Sequence, residues 1–151
     1  MRRSDKEIIS RPEIDEIINA AEVCRLAFAK DNEPYLVPVS YGYDGKSIFV
    51  HTAKEGKKIE FLKSNDRVCF EFETDAKIVT HETIGCKWTA SFKSVIGYGR
   101  MQKITDEADA LLALNQIMLK YSGKEWGFTN KDLSRVYLWK IEIEEISGKK
   151  S

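Results

Sequence analysis

The run His51-Thr52-Ala53-Lys54-Glu55-Gly56-Lys57-Lys58 is where residue types and spacing in this chain could do chemistry. An imidazole follows the apolar run SIFV, a glycine relaxes the backbone, and two adjacent lysines open a stretch of helical spacing. A helix start presents unpaired N–H groups and a partial positive charge, and mobile ammonium groups add to both, so the pattern outlines a site for a phosphate monoester. The same residues also suit a solvated helix start with an ordinary lysine pair. His51 suits a strand-end imidazole bonded to a carbonyl as well as a proton relay.

Other chemistry-bearing residues are scattered. Cys24, Cys69 and Cys86 are odd in number, far apart and in no CxxC pair, which favours free thiols and argues against a structural zinc site. His51, His81 and Cys86 match no ligand spacing, so no metal is expected. Cys86 beside Lys87 suits a small apolar residue better than a reactive thiol. Trp88, Phe92 and Tyr98 could stack on a planar ligand or pack a core or subunit interface, and Trp126 and Phe128 sit in a connection suited to a lid.

The elements that must position these residues follow from periodicity. Residues 12–21 place Ile14, Ile17, Ile18 and Ala21 on one helical face behind Pro12. Period-two patterns at 23–29 and 34–41 flank an Asp31-Asn32-Glu33 turn, and Asp44-Gly45 leads into a strand at 46–52. Helical spacing returns at 56–64, and 67–73 alternates as a half-buried strand. Residues 74–85 have no clear period and read as a loop. Residues 87–104 read as two strands or one bent strand, with Gly97 and Gly99 marking a bulge or a close backbone approach. Thr105 precedes a helix at 106–121 with Leu111, Leu114, Met118 and Tyr121 on one face, and 135–146 is the last strand. Residues 1–10 and 147–151 read as loosely held ends.

Six or seven strands with short turns favour a mainly β (α+β) fold, an antiparallel split barrel with a few flanking helices, over a parallel βαβ sheet. The 151 residues, 42% apolar and 32% charged, suit one domain over 1–151. Lys plus Arg and Asp plus Glu are 24 each, so no overall field gathers nucleic acid or an anionic membrane. With no apolar run near the roughly 20 residues that span a bilayer, and no apolar signal-peptide core behind MRRSDKEIIS, a cytoplasmic protein is expected.

Four pieces taken together, PVSYGYDG, HTAKEGKK, NDRVCF and SVIGYG, are specific where each alone is weak. Through them the chain resembles the pyridoxamine 5′-phosphate oxidase-like FMN-binding split-barrel family, most closely its Nim-type, 5-nitroimidazole-resistance branch. The resembling stretches are 34–73 and 86–101. The resemblance implies a homodimer with FMN at the subunit junction. Residues Leu36–Tyr41 would lie along the isoalloxazine, with the main chain of Pro38, Val39, Ser40 and Tyr41 against its polar edge. His51, Thr52 and Ala53 would sit beside the flavin, and Lys57 and Lys58 would hold its phosphate. Ser91, Lys93 and Ser94 would approach from the next strand region, and Cys86, Lys87 and Trp88 would come from the partner. Lys93 stands where relatives often carry an arginine, giving a point charge without the bidentate fork.

The vitamin-making oxidases end in an arginine and tryptophan signature. YLWKIEIEEISGKKS offers Trp139 with no arginine after it, which points away from pyridoxamine phosphate oxidation. The implied function is an FMN-dependent reductase passing electrons from a reduced nicotinamide or other donor to a small aromatic acceptor such as a 5-nitroimidazole, with His51 as the catalytic candidate. The rivals are a flavin- or haem-like-ligand-binding protein without turnover, and a cofactor-free dimeric interaction module.

Overall fold

The computed structural model describes residues 3–151. Among them are eight strands: β1 Glu7–Ile8, β2 Cys24–Lys30, β3 Glu33–Val39, β4 Tyr41–Tyr43, β5 Ser47–Thr52, β6 Arg67–Val79, β7 Thr89–Lys103 and β8 Tyr137–Lys150. The helices are α1 Arg11–Ala20, α2 Lys57–Ser64, α3 Glu107–Ser122 and α4 Asn130–Leu133.

All strand pairs are antiparallel, in the order β3-β2-β6-β7-β8-β5-β4, with β1 added to β8. The first and last strands of this path, β3 and β4, are consecutive in the chain and meet at Ser40. The sheet therefore curls until its two edges share a covalent junction, the split barrel expected from the sequence.

Turn chemistry sets the register. Lys30 pairs with Glu33, and the two residues between them, Asp31 and Asn32, have φ of 47° and 64°, as a type I′ hairpin turn requires. The Asp44 carboxylate accepts from the N–H of Lys46 and Ser47 at 2.9 and 2.7 Å and fixes the turn between β4 and β5. Both readings of the glycines hold: a Cβ on Gly97 would run into the Phe70 ring and the Glu145 carbonyl, and the β7–β8 register shifts between Tyr98 and Gly99.

Leu26, Phe28, Ile48, Val50, Val68, Phe70, Phe72, Val95, Met101 and Ile141 fill the barrel, and Ile14, Ile17 and Ile18 of α1 pack into the same core. A second, smaller apolar cluster lies outside it, where α3 packs on Phe49 and Leu138.

Three expectations are corrected. Residues 74–79 are not a loop: β6 runs to Val79 past an irregularity between Thr74 and Lys77, where Asp75 has a φ of 58°. The ends are not loose where they are described, because Gly148 and Lys149 pair with β1 and β8 continues to Lys150 against Lys93. The buried face of α3 is Ala110, Ala113 and Ile117, and Tyr121 is 46% exposed. Small residues let α3 lie close to the sheet, so the larger leucines turn to its flanks.

Candidate functional site

Strand alternation divides β5 between two environments. Ile48, Val50 and Thr52 point into the barrel, and Phe49 and His51 point to the side that α3 covers. Inside, Thr52 Oγ1 accepts from Trp139 Nε1 at 2.9 Å and donates to the Ala53 carbonyl at 2.8 Å. That hydroxyl is buried and its proton is spent on Ala53, so toward a ligand Thr52 offers main chain only. His51 lies opposite Leu138 of β8 and keeps an exposed edge.

The junction of β3 and β4 comes alongside. Tyr41 pairs with Val50, and one further step of that register sets Ser40 opposite His51. Pro38 and Ser40 are exposed and Val39 is half-buried against the core. Tyr41 is fully buried, its phenol donating toward the carbonyls of Ile18 and Ala21, the latter at 2.8 Å. Burial pushes that phenol's pKa up, so it stays neutral, and the Tyr41 N–H is taken by the Tyr121 hydroxyl.

The chain leaves β5 through Ala53 and Gly56. Gly56 has a φ of 105°, a conformation open to glycine, and its carbonyl accepts from Ile59 and Glu60 to start α2. No side chain caps this helix, which leaves the first N–H groups, those of Lys57 and Lys58, facing outward at its positive end. The two lysines then part. Lys57 is bound by Glu33 and lies 4.9 Å from the centroid of the Tyr35 ring, and the hydrogen bond to Glu33 raises its pKa. Lys58 is half-buried and makes no ion pair among the described residues. Burial lowers the pKa of His51, and the charge of Lys58 lowers it further, so His51 stays neutral near pH 7.

Ser40 and His51 thus lie side by side on an exposed ledge at a barrel edge, with Pro38 exposed before them and Ala53 leading on to Lys58, whose charge reaches His51, while Val39 turns toward the core. Ser91, Lys93 and Ser94 do not join it. They pair with β6 and with the last residues of β8, and Lys149 is eleven residues from the Leu138 opposite His51, about 35 Å of strand. Instead Ser91 and Lys93 line a separate recess with Asp5, Lys6, Asp75 and Lys150. Cys86 and Lys87 lie at the tip of the β6–β7 hairpin, where Trp88 donates to the His81 carbonyl at 2.8 Å. Trp126, read as a lid, is tied back to α3 by Asn115 and Ser122, each at 2.8 Å.

Sequence reasoning missed two side chains that shape the ledge. Trp139, noted only for lacking an arginine after it, holds Thr52 from inside, and its inward strand position in LWKI was the available signal. Tyr121, read as a core-facing helix residue, accepts at its hydroxyl from the N–H of Tyr41 at 3.3 Å and donates to the Glu22 carbonyl at 2.8 Å. No periodicity in the sequence signals that contact, which spans 80 residues.

Likeness to known proteins decides the family. The model of the family described as pyridoxamine 5′-phosphate oxidase matches residues 10–150. The chain belongs to that family. A protein of Rhizobium meliloti (strain 1021), RA0666, whose own function is uncharacterised, is 28% identical over 97 residues, 64% of this chain; the match spans 56% of that relative's length. A candidate 5-nitroimidazole antibiotic resistance protein from Bacteroides thetaiotaomicron superposes with a TM-score of 0.85 at 28% identity, covering 95% of this chain and 86% of its own. An FAD-binding protein from Mesorhizobium loti has a TM-score of 0.67 at 27% identity, covering 95% and 96%. The family resemblance drawn from 34–73 and 86–101 therefore holds, and β5, α2 and the Ser40 junction all lie inside the matched region.

Proposed function

We propose that this protein binds FMN on the ledge between Ser40, His51 and Lys58 and works as a flavin-dependent reductase of small aromatic acceptors such as 5-nitroimidazoles. The observation that carries the reading is the start of α2. An uncapped helix end, entered through Gly56 and tipped by Lys58 with no ion pair among the described residues, follows directly on His51 and faces the exposed Ser40. Its donor set suits a phosphate monoester. The solved relative named for FAD binding supports flavin as the ligand class, and the one named for nitroimidazole resistance supports the acceptor class.

Bound FMN would supply the electron-transfer chemistry, accepting a hydride equivalent from a reduced nicotinamide and passing electrons on. Lys58 and the N–H groups of Lys57 and Lys58 anchor the phosphate. The main chain from Pro38 to Tyr41 meets the polar edge of the ring. His51, neutral near pH 7, can hold or pass a proton at its exposed edge. We assign Ser91, Lys93 and Ser94 to the junction with a second copy of the chain, which would cover the open ledge. The exposed apolar side chains Ile78, Val79, Ile84 and Trp88 along the β6–β7 hairpin support such a homodimer. The free thiols of Cys24, Cys69 and Cys86 support a cytoplasmic setting, and no helix among the described residues is long and apolar enough to cross a membrane.

The test is anaerobic. FMN-loaded protein mixed with NADH or NADPH should lose its flavin absorbance, and a 5-nitroimidazole should restore it over repeated cycles. Colour that never cycles with any donor contradicts the reductase and leaves a flavin-binding protein.

A further inference from the structure

The ledge depends on the position of one residue, Ser40, where the sheet has no ladder of its own. β3 ends at Val39 and β4 begins at Tyr41, and these two strands do not pair with each other. A main-chain junction of this kind needs an outside partner to hold a single geometry.

That partner is the end of α3. The Tyr121 hydroxyl accepts from the Tyr41 N–H at 3.3 Å and donates to the Glu22 carbonyl at 2.8 Å. The Ser40 side chain stands beside the same phenol. One donated and one accepted bond fix the direction of this hydroxyl. The Tyr121 ring also meets the Tyr41 ring edge-on, with centroids 6.5 Å apart. Next to it, Lys120 donates to the Asn19 carbonyl at 2.8 Å and sits 4.5 Å from the Tyr41 ring centroid. The last turn of α3 thereby ties the entry to β2 and the β3–β4 junction to one another.

We propose that Tyr121 is a positioning residue for ligand recognition: its hydroxyl sets the Ser40–Tyr41 main chain at the spacing that meets the polar edge of the flavin ring. This inference rests on the flavin reading above. Tyr121 acts through Ser40 and Tyr41, so its effect belongs to the ring, whereas that of Lys58 belongs to the phosphate.

Riboflavin, which has the ring without the phosphate, separates the two. FMN and riboflavin are titrated into wild-type protein, Tyr121→Phe and Lys58→Ala, well below the melting transition, with affinity and the visible circular dichroism of the bound flavin as readouts. Tyr121→Phe should weaken both ligands by the same factor, about five-fold, and alter the visible bands. Lys58→Ala should weaken FMN alone and leave the bands unchanged. Should Tyr121→Phe fail to fold, Ser40→Ala removes the side chain beside the same phenol and should shift the bands in the same direction. If wild-type protein binds both flavins and Tyr121→Phe binds them equally well with unchanged bands, the positioning role is overturned and the flavin reading stands. If wild-type protein takes up neither flavin, both fall.

Discussion

Lys57 and Glu33, 24 residues apart, close an ion pair between the start of α2 and the start of β3. The consequence is a division of labour within a lysine doublet that looks symmetrical in sequence. Lys57 is drawn toward Glu33 and the faces of Tyr35 and Phe61, and Lys58 remains free beside His51.

Substitution should expose that asymmetry. Lys58→Ala is expected to weaken FMN binding about ten-fold or more, the loss of one charge-assisted contact of roughly 1.5–3 kcal/mol. Lys57→Ala should cost less than about three-fold, since its ammonium is committed elsewhere and only its N–H, which the substitution keeps, serves the helix start. Calorimetric titration of the two variants checks the ranking, and equal losses would refute it.

The bond inside the barrel from Trp139 to Thr52 makes a stability prediction. Thr52→Val keeps the shape and removes the acceptor, leaving a buried indole N–H unpaired at a cost of about 1–3 kcal/mol. The melting temperature should fall by about 2–4 °C for each kcal/mol. Thr52→Ser retains the acceptor and should lose less, so denaturant midpoints that rank Ser below Val would be inconsistent with the bond.

How much of this was legible in the sequence varies with the range of the interaction involved. The α1 face, the Asp31-Asn32 and Asp44-Gly45 turns and the β5–α2 switch are local patterns, and each formed where its residues placed it. The continuation of β6 beyond Glu73 was hidden because its outer residues face solvent on both sides and show no alternation; cross-strand pairing with Thr89–Ser91 supplies the order. The α3 face was misread by one position because alanines, not leucines, make the close contact. At the ledge, the strand-to-helix pattern put His51 at the end of β5 and Lys58 at the start of α2, and the structure has them there. The engagement of Lys57 by Glu33 and of Tyr41 by Tyr121 depends on contacts between distant segments, to which periodicity is blind.

Gly42 tests the packing that brings α3 to the junction. A Cβ at this position would lie 2.5 Å from the Gln116 carbonyl carbon and 2.6 Å from the Ile117 nitrogen, both main chain. Gly42→Ala should therefore destabilise by about 3 kcal/mol, because neither the helix nor β4 can yield by moving a flexible side chain. Chemical denaturation measures it, and a change under about 0.5 kcal/mol would show that the helix sits farther away.

His51 gives a dependence on pH. Its folded pKa lies below the ordinary 6.5, so between the two values the folded state binds fewer protons than the unfolded chain, and stability rises with pH. This contribution is complete above 6.5 and is lost as pH falls through the folded value. Replacement by Gln removes it. Melting temperatures of His51→Gln should decline less than those of wild type as the medium is acidified below 6.5, and parallel curves would contradict the burial and Lys58 effects assigned to His51.

The central claim is that the ledge formed by Ser40, His51 and Lys58 takes up FMN, and an absorbance titration of purified protein with FMN tests it most directly. Saturable binding with a shifted and structured flavin band, weakened by Lys58→Ala, is the expected result. Protein that leaves the spectrum of free FMN unchanged at every concentration, and releases no flavin on denaturation, would contradict it.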